Sequence, residues 1–144
     1  MNPTNLEAFD VIGVSTITND RDAMTDIGKL WERAAASGAL VGAHAVAVYH
    51  RYVVEPGRYT VTVTVGHQAN DDERAAPGHD RVSVPSQACV LLETDGSLDA
   101  VRDAWKAIWE LWPDGGRRAF VADVERWTMG PRGPERADVY VGTK

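Results

Sequence analysis

Between Ala45 and Gly66 the chain alternates apolar and polar residues twice, with a break at Glu55-Pro56-Gly57. On the period-two rule Val46, Val48, His50 and Tyr52 point to one face of the first stretch, and Ala47, Tyr49 and Arg51 to the other. Pro presets φ and Gly accepts a positive φ at the break. Ala45–Val54 and Arg58–Gly66 are therefore predicted to form a hairpin. Glu7–Thr18 reads as an earlier strand rich in β-branched and aromatic residues, with Gly13 marking a bulge or a close backbone approach. Apolar spacing changes to the helical period from Met24 to Ser37, where Ile27, Leu30, Trp31 and Ala34 share one face and Gly38 ends the run.

The second half repeats this order. Residues 69–80 are polar and read as an exposed loop; Arg81–Pro85 and Gln87–Thr94 are predicted strands. After the Asp95-Gly96 turn, Ser97 or Asp99 caps a helix whose stripe is Val101, Trp105, Ile108 and Trp112. Pro113-Asp114-Gly115-Gly116 ends that helix. Phe120–Met129 is a strand, Gly130–Arg136 a connection and Ala137–Thr143 the last strand. Each half runs strand, helix, strand, strand, and His50-Arg51-Tyr52 in the first is matched by Glu125-Arg126-Trp127 in the second. The expectation is one domain over residues 1–144, built from pseudo-repeats at about 7–68 and 81–143. Its class is α+β, a duplicated β-α-β-β unit with a mainly antiparallel sheet and two helices.

Composition narrows the function classes. With 144 residues, 44% apolar and 25% charged, the chain is an ordinary globular sequence rather than a disordered one. Its formal net charge of −6 and the lack of any basic run beyond Arg117-Arg118 argue against direct nucleic-acid binding. No apolar stretch reaches the length of a membrane span, and no secretory signal is evident, so a cytoplasmic location is expected. The single cysteine, Cys89, permits no internal disulfide and lies in an apolar strand as inert core. His44, His67 and His79 have no metal-ligand spacing, Asp71-Asp72-Glu73 lacks the spaced oxygens of a calcium loop, and there is no Gly-rich phosphate loop. No metal or cofactor is expected.

Several short motifs, in order, carry a resemblance. They are Leu30-Trp31-Glu32, Val48-Tyr49-His50-Arg51-Tyr52, Gly57-Arg58-Tyr59, Trp105 with Ile108-Trp109, Asp123-Val124-Glu125-Arg126-Trp127, and Asp138-Val139-Tyr140-Val141. Together they make the chain similar, over nearly its whole length, to the GyrI-like or AraC-type effector-binding family. The resemblance implies two SHS2-like halves with an aromatic ligand cleft between them. It also implies an acidic residue in that cleft at the position of Glu125. Many members of that family are fused to a helix-turn-helix, which this sequence lacks; some stand alone, and some of those hydrolyse cyclopropane-bearing toxins.

The site expected from these readings centres on Glu125. By strand alternation Trp127 shares its face, with His50 and Tyr52 as counterparts in the first half. Tyr49, Tyr59, Trp109 and Trp112 complete the candidate aromatic set, whereas Trp31 and Trp105 lie on helical stripes and read as core. His50 reads either as a proton carrier or as a hydrogen-bonded structural residue. The expected function is capture of a small amphiphilic molecule, cationic or planar, by an aromatic wall with one carboxylate. One alternative is a hydrolase with Glu125 as general base and Tyr52 as a hydrogen-bond donor. The other is a protein-binding module of gyrase-inhibitor type, for which a flat or closed cleft would speak. The partner expected is a small-molecule ligand, with a separate regulator protein or a homodimer left open.

Overall fold

A computed structural model describes residues 1–144. Its elements, in chain order, are β1 (Asn2–Leu6), β2 (Phe9–Asn19), α1 (Ala23–Ser37), β3 (His44–Glu55), β4 (Arg58–Gln68), β5 (Asp80–Val84), β6 (Gln87–Thr94), α2 (Leu98–Leu111), β7 (Arg118–Gly130) and β8 (Gly133–Thr143). All eight strands form one sheet in the order β1-β6-β8-β7-β3-β4-β2-β5. Every neighbouring pair is antiparallel. The order reads alike from both edges. A short edge strand leads to the first, third and second long strands of one half, so a pseudo-two-fold axis falls between β7 and β3. The class is α+β.

Both helices cover the same face of the sheet. On α1, Leu30 and Ala34 are buried against Val61, Val63 and Val65 of β4. Gly38, at φ 79°, closes the helix with its N–H on the Ala34 carbonyl. On α2, Val101, Ala104 and Ile108 are buried against Ala137, Val139 and Val141 of β8. Ser97 is the N-cap, accepting from Ala100 N at 3.2 Å. Between the helices the sheet presents Ala45 and Ala47 of β3, whose small side chains leave room above the central strands. On the other face Leu6 of β1 and Val84 of β5, at opposite edges, join one cluster with Val46, Val48 and Val124. The edges therefore curl together behind the sheet.

Gly13 pairs with Gly66 between β2 and β4. A Cβ on Gly13 would lie 2.1 Å from the Val65 carbonyl oxygen, so the approach is open only to glycine.

The boundaries differ from expectation in three places. Residues 2–6 form a strand of their own, ahead of β2. Its Pro3 is tolerated because β1 is an edge strand, bonded on one side only, to β6. Strand β7 starts at Arg118, and the supposed connection 130–136 shrinks to a two-residue turn, since Gly130 pairs with Gly133. Pro134 and Gly133 look like loop residues in sequence, but here they sit at the start of β8 beside that turn.

Candidate functional site

Two non-glycine residues have positive φ: Arg51 in β3, at 52°, and Phe120 in β7, at 55°. Each sits where the strand's register slips, between His50 and Val53 in β3 and between Arg118 and Asp123 in β7. Bulky residues avoid this backbone region, and such outliers concentrate at functional sites. Their effect is to reverse side-chain parity. Tyr49 and Tyr52, three residues apart, would face opposite sides of a regular strand, yet both line the helix-side cleft. Arg118 and Asp123, five apart, are likewise brought to one side and meet at 2.6 Å.

The cleft lies between α1, α2 and the central strands, with a volume of about 430 Å³. Trp31 comes from α1, Trp105 and Trp109 from α2, Tyr49 and Tyr52 from β3, and Trp127 from β7. Tyr59 of β4 stacks on Trp109 at 5.4 Å with the rings 12° from parallel. Trp31 meets Trp127 edge-on at 5.6 Å.

Glu125 is 3% exposed in this cleft. Its Oε2 accepts from Tyr49 Oη at 2.8 Å and from Trp105 Nε1 at 2.7 Å, and its Oε1 from Trp127 Nε1 at 3.0 Å. All three donors are neutral. Burial raises the Glu125 carboxyl above its ordinary range, and the three donors pull back only part of that shift. Burial, followed by the adjacent Glu125 charge, pushes the Tyr49 phenol well above its usual value, so Tyr49 keeps its proton and donates.

Two residues earlier on the same strand, Asp123 is fully buried. Its Oδ2 accepts from Arg118 Nη2 at 2.6 Å and from Tyr52 Oη at 2.6 Å, and its Oδ1 from the Gly142 N–H at 2.9 Å. Arg118 is itself 1% exposed and also lines the cleft. Its Cζ lies 4.6 Å from the Trp109 ring centroid and 4.4 Å from that of Phe120. The Nε and Nη1 groups of Arg118 have no acceptor. An unsatisfied buried donor costs about 1–3 kcal/mol, offset here in part by the ring faces.

Most of the residues expected at the site therefore meet: Glu125, Trp127, Tyr49, Tyr52, Tyr59 and Trp109 share the cleft. Two do not. His50 points to the opposite face, where its Nε2 lies 3.0 Å from Thr64 Oγ1, because the bulge at Arg51 separates its parity from that of Tyr52. Trp112 has left the helix as its C-cap, at φ −128° and ψ 71°, and packs into the core beneath α2. Trp31 and Trp105, read as core, line the cleft as well as packing. Arg118 was missed, since in sequence it is only half of a basic pair. Asp123 was missed as well, although alternation puts 123, 125 and 127 on one face and could have found it. Tyr52 lines the cleft, but its phenol proton is committed to Asp123.

An aromatic cleft with a carboxylate in its wall, bounded by two helices and the sheet, agrees with the effector-binding class that the sequence motifs resemble. The model of the integron-associated effector binding protein family, Cass2, matches residues 4–142, and the chain belongs to that family, which is GyrI-like. No curated protein matches the chain. Among solved structures, an integron cassette protein from the mobile metagenome of Vibrio cholerae is similar at a TM-score of 0.78 and 19% identity, over 99% of this chain and 95% of its own. The protein SAV2435, bound to tetraphenylphosphonium, is similar at 0.73 and 14% identity, over 99% and 93%. A putative bacterial transcription regulation protein from Staphylococcus aureus MU50 follows at 0.68 and 15%, over 99% and 97%. At these identities the likeness is one of fold. No helix is long and apolar enough to cross a membrane.

Proposed function

We propose that the chain captures a lipophilic organic cation, with Glu125 as its counter-charge and the surrounding tryptophans and tyrosines as its wall. The observation that carries this reading is the state of Glu125. It is a buried carboxylate in an apolar cleft, held by three neutral donors and by no cation. A desolvated charge of this kind is costly unless a partner neutralises it. A ligand cation supplies that partner, and each aromatic face it touches adds about 0.5–2 kcal/mol. The binding of tetraphenylphosphonium by a protein of the same fold supports the choice of ligand class. An open cleft of this volume also favours a small molecule over a protein docking surface.

Hydrolysis is the weaker reading of the same residues. Both Glu125 oxygens already accept hydrogen bonds, and the Tyr52 hydroxyl that would stabilise a leaving oxygen donates to Asp123. Titration of the intrinsic tryptophan fluorescence with cationic, neutral and anionic dyes of similar size tests the proposal. Cations should bind tightest. Equal binding of neutral or anionic dyes would remove Glu125 from its assigned role.

A further inference from the structure

The cleft holds a second charged group that cation capture does not use. Arg118 is 1% exposed, lines the cleft, and engages only Nη2, which donates to Asp123 at 2.6 Å and to Tyr52 Oη at 3.3 Å. Its Nε–H and both Nη1–H bonds meet no acceptor. Guanidinium carries five N–H donors in a rigid fork and does not shed its proton in proteins, so these donors cannot be silenced by titration. Nearly all buried polar groups in native proteins are hydrogen-bonded, and an orphaned fork beside a ligand cleft demands a reason. The faces of Trp109 and Phe120 attract the charge as a whole, but they offer no lone pair to an N–H bond. The strand has also been bent to bring the group here. Without the slip in register at Phe120, Arg118 would face the other side of β7 from Asp123.

We infer that the cleft takes a ligand with two recognised groups: a cation beside Glu125 and a neutral acceptor oxygen, such as a carbonyl, phosphoryl or ether, seated on the free fork of Arg118. This rests on the cation reading above and adds a second specificity determinant to it. Neutrality follows from charge balance. Asp123 already compensates Arg118, so a ligand carboxylate would add a surplus negative charge to a cleft that holds Glu125. Trp105 borders both anchors: its indole N–H donates to Glu125 at 2.7 Å, and its ring centroid lies 5.9 Å from Arg118 Cζ. One ligand in the cleft can therefore reach both.

The test compares hexyl-triphenylphosphonium with its 5-oxohexyl counterpart, in which one methylene becomes a carbonyl, by fluorescence titration of the full chain. In an apolar pocket without a donor the ketone binds more weakly, because its dehydration is not recovered. Wild type should bind the ketone about fivefold more tightly, within what one charge-assisted hydrogen bond supports. Arg118→Lys keeps a cation against Asp123 but loses the fork, and should reverse the order. Hexyl binding as tight as ketone binding in wild type would overturn the inference while leaving the cation reading intact. So would a ketone preference that survives in a folded Arg118→Lys. Failure of both probes to bind would overturn the two together. If Arg118→Lys does not fold, as judged by circular dichroism, the wild-type comparison decides alone.

Discussion

Asp123 and Glu125 are two residues apart on one strand, on one face, and equally buried, yet they are in opposite electrostatic situations. Asp123 has an internal cation, Arg118, at 2.6 Å, plus a backbone N–H and a phenol. Glu125 has a phenol and two indoles, and no positive charge. Neutral donors orient a carboxylate and soften its desolvation without cancelling its charge. The contrast separates a structural carboxylate from one left uncompensated. It supports the proposed site for a ligand cation more sharply than the mere presence of an acidic residue in a cleft does.

The two carboxylates should fail differently when removed. Asp123→Ala strands a buried guanidinium, which typically costs about 3–5 kcal/mol, so a large drop in the midpoint of urea denaturation is expected. Glu125→Gln removes a charge that the folded state disfavours. Its effect on stability should stay within about 1 kcal/mol, the scale of a single rearranged hydrogen bond. If Glu125→Gln proves as destabilising as Asp123→Ala, the contrast between the two sites is broken.

Ligand binding should reverse that ranking. At an effective dielectric constant of about 20, a cation about 5 Å from a carboxylate gains about 3 kcal/mol, so Glu125→Gln should weaken a lipophilic cation by about a hundredfold. A smaller and pH-dependent effect follows from the raised Glu125 pKa. Binding needs the ionised carboxylate, so affinity should be full well above that raised value and fall as pH drops through it. The decline should begin above the usual glutamate range. Trp105→Phe deletes one of the donors that favour the ionised form and should move the decline to still higher pH. A pH-independent affinity across the acidic range would contradict the assignment.

The smallest effect concerns a region outside the cleft. His67 has Nδ1 at 2.8 Å from the Ala39 carbonyl and Nε2 at 2.6 Å from Glu73 Oε2, an arrangement that the doubly protonated ring satisfies. Burial opposes that charge, but the bonds to Glu73 and Ala39 outweigh it and the His67 pKa is raised. The contribution of this latch is therefore fully present below the ordinary histidine value, about 6.5, and is lost as pH rises through the raised value. Amide exchange around residues 69–73 should accelerate, after correction for intrinsic rates, over that upper window while the central strands stay protected. Unchanged protection there would mean that the ring is neutral.

Alternation and helical spacing made the elements legible in the sequence, while the choice of Glu125 as the cleft carboxylate came from the family resemblance, to which alternation added Trp127. Asp123, Glu125 and Trp127 follow the period-two rule, and the β3–β4 hairpin follows from its Pro-Gly turn. What escaped depends on the two bulges. Nothing in His50-Arg51-Tyr52 announces that Arg51 adopts a positive φ, and that one residue swaps His50 out of the cleft and puts Tyr49 and Tyr52 together. The same device at Phe120 hides the meeting of Arg118 with Asp123. Trp105 and Trp31 were misjudged because a helical stripe cannot distinguish a residue packed on the core from one packed on the core and also bordering a cavity. Trp112 was misjudged because the stripe runs one residue past the end of α2.

The central claim is that Glu125 is an uncompensated charge, and it is tested most directly by inverting ligand charge at fixed shape. Tetraphenylphosphonium and tetraphenylborate have nearly the same size and apolar surface. Calorimetric titration of wild type and Glu125→Gln with both ions should show tight phosphonium binding and no measurable borate binding in wild type. In the variant the phosphonium should lose about a hundredfold in affinity, and the gap between the two ions should narrow. Borate binding as tight as phosphonium binding in wild type, or a gap unchanged by Glu125→Gln, would contradict the account.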